Sequence, residues 1–227
     1  KPLLKINNLS IISHVFKRAE EANIGEVVVA TDDQEILKDV QKNGGKGILT
    51  NNNHKTGTDR IFEAYEKLDI KNVDYILNLQ GDEPDINKDD IINLNNFMIN
   101  QDAGLGTLAA KIQDDKMLNN KNVVKVLTDK KLKESNFPEA LNFTRDNLLI
   151  DSQNTYHHIG IYSYKLSVLK KFVSLDQTNN EKINKLEQLR ALDNKLKINV
   201  ALAKSSPIGV DTEEDYLAIK KIMEYKI

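Results

Sequence analysis

The segment that most limits the fold is the apolar run Tyr75-Ile76-Leu77, which passes directly into Asn78-Leu79-Gln80-Gly81-Asp82-Glu83-Pro84. An apolar run that stops in an amide, a glycine and two carboxylates describes a buried strand ending in a polar turn. Open α/β sheets bind their ligands at that carboxyl end of the strands. Pro84 biases Glu83 toward an extended backbone, so Asp82 falls in a non-helical turn. A carboxylate there can hold a divalent cation, and the cation a phosphate. A plain turn accounts for the same residues about as well, because Gly, Asp and Pro are common turn formers.

The flanking pattern alternates. Ile11, Ile12, Val15, Phe16 and Ala19 recur at helical spacing, and residues 26–30 read as a short buried strand. Asp32 or Asp33 can cap a helix bearing Ile36, Leu37 and Val40, which Gly44-Gly45 ends. A strand at 47–50 follows, then a helix capped by Thr58 with Ile61, Phe62, Tyr65 and Leu68, then the strand at Tyr75 and a helix over 89–100. This β-α-β-α order predicts an α/β fold, a Rossmann-like and mainly parallel sheet flanked by helices.

The rhythm then changes. Residues 106–112, 122–127 and 141–144 read as strands without long helices between them, a small antiparallel extension within about 104–156. A strand at 156–164, helices at 166–172 and 181–192, and a strand at 197–203 complete the pattern. Thr212 can cap a last helix carrying Tyr216, Leu217, Ile219, Ile222 and Met223. No repeat or linker interrupts the chain, so a single domain over 1–227 is expected.

Composition removes several classes. The formal net charge of -2 provides no basic field for nucleic acid. The absence of cysteine excludes disulfides, thiolate zinc sites and cysteine nucleophiles. No apolar run is long enough to cross a bilayer and no signal-peptide pattern opens the sequence, so a cytoplasmic protein without membrane insertion is expected.

Four other constellations bear on chemistry. Asp211 stands in Gly209-Val210-Asp211-Thr212; Thr212 and Asp215 already satisfy a capping box, which leaves Asp211 unexplained by capping. His157 and His158 lie next to each other on a strand, so their imidazoles diverge and cannot share a metal. His158, Gly160, Tyr162 and Tyr164 form a polar, aromatic face over which a ligand could lie; an ordinary strand histidine fits as well. Glu187 and Gln188 flank the inward leucines of their helix, where they could read a hydroxylated ligand or simply border the core. Gly57-Thr58-Asp59-Arg60 opens a helix, and its N-terminus with the Arg60 fork could take an anion or could be a cap alone.

As an ordered set these segments resemble the 3-deoxy-manno-octulosonate (Kdo) cytidylyltransferase family. The matching pieces are Lys1-Pro2-Leu3, Val28 to Asp33, Gly57 to Arg60, Asn78 to Pro84, Asn122 to Lys125, His158 to Tyr162, Leu186 to Arg190 and Gly209 to Thr212. The resemblance implies a nucleotide-diphospho-sugar transferase fold, a homodimer with the β-rich region near its interface, and transfer of CMP from CTP to Kdo. By position, Asp82 and Asp211 would hold Mg²⁺, Lys1 would meet the triphosphate, and Gly57, Arg60 and Gln80 would serve the nucleotide. Gln80, Arg145, His158, Tyr162, Glu187 and Gln188 would surround the sugar acid. Family members carry a strand and a glycine- and arginine-containing loop before Lys-Pro-Leu, so the resemblance implies such a loop ahead of Lys1. Around Arg145 the chain reads Asn142-Phe143-Thr144-Arg145-Asp146-Asn147, where members read serine-arginine and then Ile-Pro. A different sugar acid, such as 8-amino-Kdo, is the alternative substrate. A non-catalytic nucleotide- or sugar-binding relative is the alternative class.

Overall fold

The computed structural model describes residues 1–146 and 153–224; Asn147, part of the segment after Arg145, lies outside them. The chain forms two compact units. One comprises Lys1–Lys71, Leu79–Ile92 and Pro207–Ile227, the other Asn72–Asn78 and Asn93–Ser206.

The first unit opens with a hairpin that the sequence pattern did not predict, β1 (Lys5–Ile6) against β2 (Leu9–Ser10). Asn7 and Asn8 turn it with φ of 49° and 64°. Both values are left-handed, as a two-residue primed turn requires, and asparagine tolerates that region better than most residues. Ser10 caps α1 (Ile11–Ala22) by accepting from the Ser13 amide. Ile12 and Phe16 of α1 pack on Val40 of α2 (Gln34–Lys42). Next to Ile12 in the chain, and so on another side of the helix, Ile11 joins Ile6, Val210, Ile219 and Met223 in a second cluster, the last two from α9 (Glu213–Glu224). Strands β3 (Val29–Thr31) and β4 (Gly47–Leu49) pair in parallel, with α2 between them capped by Asp33. Helix α3 spans Gly57–Leu68 and is capped by Thr56, not Thr58. Thr56 has the extended backbone a cap needs, whereas Thr58 is already helical and buried.

In the second unit the spine is β9 (Thr155–Lys165). Strand β6 (Leu105–Ala110) runs antiparallel along one edge of it. The other edge takes β5 (Tyr75–Asn78) against residues 162–165 and β7 (Lys125–Thr128) against residues 155–157. Strand β8 (Ala140–Thr144) lies beyond β7, and β10 (Asn199–Leu202) pairs in parallel with β6. Strands β5, β6, β7 and β10 therefore share one direction, opposed by β9 and β8. The α/β class holds, but insertion of β9 among like-directed strands makes most neighbouring ladders antiparallel.

Helix α4 (Lys88–Asn100) and α6 (Leu166–Val173) lie where the periodicity places them. A short α5 (Asp115–Asn119), capped by Asp114, was not expected. The helix expected over 181–192 is two pieces, α7 (Asn179–Asn184) and α8 (Leu189–Asp193). Lys185 breaks it by taking a left-handed conformation at the end of α7. A buried ion pair rejoins the two, with Arg190 donating to Glu181 through Nε (2.9 Å) and Nη2 (2.6 Å).

Candidate active site

The first unit brings three acid and base groups together. The amide of Val210 donates to the carbonyl of Asp82 over 2.9 Å, fastening the turn before α9 to the turn after Gly81. Thr212 and Asp215 close a reciprocal cap on α9: the Asp215 amide donates to the Thr212 hydroxyl, and the Thr212 amide to Asp215 Oδ2. The Asp211 carboxylate is thus spared from capping and lies exposed, 3.5 Å from Lys1 Nζ.

Burial pushes the Asp82 carboxyl above the ordinary carboxylate range, and the charge of Asp211 pushes it further, against the pull of Lys1. Burial also drives Glu83 up to about 8, with the Asp82 charge adding to it. Glu83 is half-buried as a residue, yet its Oε2 is closed off from solvent and has no hydrogen-bond partner. Crowded carboxylates in a partly dry turn are unfavourable by themselves; a hard cation would relieve them.

Arg60 points elsewhere. Its Nη1 lies 2.9 Å from Asp32 Oδ1 and 2.8 Å from Thr50 Oγ1, so it ties α3 to the ends of β3 and β4. That hydrogen bond from Arg60 holds the Asp32 carboxyl below its usual range. Gly57 is exposed at the first turn of α3, and Gln80 is exposed on the turn after β5.

The second unit holds the other set. His158 and Tyr162 face the same side of β9, with ring centroids 5.4 Å apart, and Phe143 meets His158 edge-on at 5.0 Å. Burial drives the His158 imidazole down to about 3, so it is neutral at pH 7. Burial raises the Tyr162 phenol well above its usual value, and the charges of Tyr164 and Glu187 add to this. The Tyr162 hydroxyl is buried and meets no partner in good hydrogen-bond geometry among the described residues, the Thr107 hydroxyl offsetting the rise only in part. An orphaned buried donor is rare in a finished fold and fits a place kept for a ligand. Gln188 is buried at the start of α8, with Glu187 beside it half-buried. His157 diverges from His158 and bonds through Nδ1 to Ser206 at 2.7 Å.

Arg145, at the end of β8, donates from Nη1 to the carbonyls of Lys121 (3.3 Å) and Asn122 (3.0 Å). Lys125 answers from β7, with Nζ donating to the carbonyls of Asn120 (2.7 Å) and Arg145 (3.0 Å). Lys125 is buried, and this depresses its pKa. It was not among the candidates, although a lysine inside the apolar run Val123 to Leu127 is a legible signal. Thr107 was missed as well; its hydroxyl lies 3.0 Å from His158 Nε2.

Among the described residues no cluster of three or more His, Cys, Asp or Glu side chains forms a ready-made metal centre. Asp82 and Asp211 provide an all-oxygen pair, which suits Mg²⁺ because that ion takes few protein ligands and completes its shell from phosphates and water.

A family model described as cytidylyltransferase matches residues 1–198. A 3-deoxy-manno-octulosonate cytidylyltransferase of Thermodesulfovibrio yellowstonii is 42% identical over 239 residues, covering 98% of this chain and 91% of that protein. One from Afipia carboxidovorans is 41% identical over 224 residues, covering 98% and 90%. A solved CMP:2-keto-3-deoxy-manno-octonic acid synthetase complexed with CTP superposes with a TM-score of 0.89 at 32% identity, over 100% of this chain and 92% of that one. An apo UDP-glucose pyrophosphorylase, at 14% identity and a TM-score of 0.73 over 100% of this chain and 90% of that one, shares the fold.

Proposed function

Because the chain belongs to the 3-deoxy-manno-octulosonate cytidylyltransferase family, we propose that it transfers CMP from CTP to the anomeric hydroxyl of Kdo. Pyrophosphate leaves, and the product serves lipopolysaccharide or capsule synthesis. The observation that carries this reading is the meeting of the Asp82 and Asp211 turns beside Lys1.

In phosphoryl-group chemistry the protein mostly positions reactants and balances charge. Asp82 and Asp211 would hold Mg²⁺, which when bound neutralises triphosphate charge and orients the phosphates. Lys1 balances the charge that grows on departing pyrophosphate. Gly57 and Arg60 serve the nucleotide, with Arg60 also bracing β3 and β4 through Asp32 and Thr50. Gln80 offers an amide to nucleotide or sugar.

On the sugar side, Arg145 has guanidinium donors left after its two carbonyl bonds and clamps the carboxylate. Tyr162 donates its otherwise unsatisfied hydroxyl. His158, Glu187 and Gln188 read the sugar hydroxyls. A second reading is favoured by the exposed Asp146 directly after Arg145: its carboxylate would complement the ammonium of 8-amino-Kdo.

The homodimer and the cytoplasmic location belong to the same reading. No helix among the described residues is long and apolar enough to cross a membrane. Strand β8 ends the sheet order, and its Leu141 is 57% exposed, which supports an interface in the 104–156 region. Loss of dimer mass in light scattering on Leu141→Glu is the expected outcome.

Pyrophosphate release from CTP should be measured with Kdo, 8-amino-Kdo and N-acetylneuraminate, with Mg²⁺ or with EDTA. Release with Kdo and Mg²⁺ alone is expected. Preference for 8-amino-Kdo selects the second reading, and CTP binding without turnover on any sugar selects a non-catalytic relative.

A further inference from the structure

Thr107 occupies the one place where β6 and β9 lose register. It pairs with Tyr162, whereas the next residue, Leu108, pairs with Ile159. Gly160 and Ile161 are thereby bulged out of the ladder. The bulge leaves the carbonyls of Ile159 and Ile161 at 3.3 and 2.7 Å from the Thr107 hydroxyl. The same hydroxyl lies 3.0 Å from His158 Nε2. Thr107 is fully buried, so solvent does not compete for these bonds.

Counting protons fixes the rest. A hydroxyl has one proton and two lone pairs. The Ile161 carbonyl only accepts and is the nearest of the three, at 2.7 Å, so it takes that proton ahead of His158 Nε2 at 3.0 Å. The oxygen then meets His158 with a lone pair, and Nε2 must be the donor. A neutral imidazole has one N–H, which leaves Nδ1 bare. Among the described residues, the hydrogen bond to Thr107 is the only one made by the His158 side chain. The Phe143 and Tyr162 rings hold the imidazole plane.

We propose that Thr107 is a positioning residue for substrate selection: it locks His158 as the Nε2–H tautomer, so that Nδ1 faces the sugar acid as a hydrogen-bond acceptor for one hydroxyl. This rests on the reading that His158 meets the sugar. An analogue without that hydroxyl leaves Nδ1 unpaired and is rejected.

The test combines long-range ¹H–¹⁵N spectra of ¹⁵N-histidine-labelled protein with steady-state kinetics on Kdo, His158 being assigned by the signals lost in His158→Gln. The expected spectrum of the free wild type has Nε2 protonated and Nδ1 bare, and Thr107→Ser reproduces it. Thr107→Val should shift population to the Nδ1–H form and raise KM for Kdo about tenfold, the size of one lost hydrogen bond, with KM for CTP unchanged. An Nδ1–H form in the wild type overturns the proposal, as does Thr107→Val with tautomer and KM both unaltered. Should the valine variant not fold, the wild-type spectrum and its match to Thr107→Ser decide. A wild type in the Nε2–H form that never turns over Kdo overturns the sugar assignment; an Nδ1–H form with full turnover overturns the tautomer and keeps the sugar assignment.

Discussion

Val210 and Asp82 are joined backbone to backbone, the amide of one on the carbonyl of the other at 2.9 Å. The bond consumes neither acid side chain. It brings Asp211 to the neighbourhood of Asp82 with both carboxylates still available; burial first, and the Asp211 charge after it, raise the pKa of Asp82.

Neutralising either acid should separate activity from stability. Asp82→Asn and Asp211→Asn are expected to slow CMP-sugar formation about 100-fold or more, as for loss of a main charge-stabilising group. A carboxyl whose folded pKa is raised contributes most stability below its unfolded pKa and loses it as pH climbs through the folded value. At pH 7 Asp82→Asn therefore removes a penalty, and its metal-free melting temperature should equal or exceed that of the wild type. Wild-type turnover in either variant would remove these residues from the chemistry.

His158 sets a pH limit on the acid side. Its pKa falls from the usual 6.5 to about 3, chiefly by burial. The neutral form is favoured on folding, so its contribution is complete above the unfolded pKa and shrinks as pH falls from about 6.5 toward 3. The loss is on the order of a few kcal/mol. Urea midpoints at pH 7 and pH 4.5 should differ more for the wild type than for His158→Gln; equal differences would contradict a buried neutral imidazole.

The Glu181–Arg190 pair predicts a structural phenotype. Both side chains are almost wholly buried, and the guanidinium also lies 4.7 Å from the Phe172 ring centroid. Glu181→Gln removes the charge that both guanidinium bonds meet, at a cost of about 3–5 kcal/mol in urea unfolding. Since α8 also starts with Gln188, the KM for the sugar acid should rise while that for CTP stays.

Gly106 tests packing in the second unit. An added Cβ would come within 2.5 Å of Met98 Sδ and 2.6 Å of Phe137 Cζ. Gly106→Ala should cost about 1–3 kcal/mol by overpacking. A urea midpoint unchanged from the wild type would mean that α4 yields freely at Met98.

The legible part of the fold was local. Helical spacing and caps gave α1, α2, α4 and α9, because an amphipathic face and a capping oxygen are read from neighbouring residues. The partners of β9 were not legible, since β5, β6 and β7 are set by long-range pairing and no period in the sequence encodes it. The break at Lys185 was hidden because Leu186, Leu189 and Leu192 keep helical spacing directly after it, with Ile183 just before it. In the site, acids and histidine announce themselves by residue type. Thr107 and Lys125 do not, because their roles come from a bulge and from carbonyls that only the folded backbone presents.

The place of β9 in the sheet also bears on how the chain folds. Strands β5, β6 and β7 all wait for residues 155–165, which leave the ribosome after them. Until then the nascent chain carries unzipped edges that another copy can capture. Closure over such long loops is slow. Expression at lower temperature or with a holdase should therefore raise the recovered yield, and a fragment ending before Thr155 should precipitate.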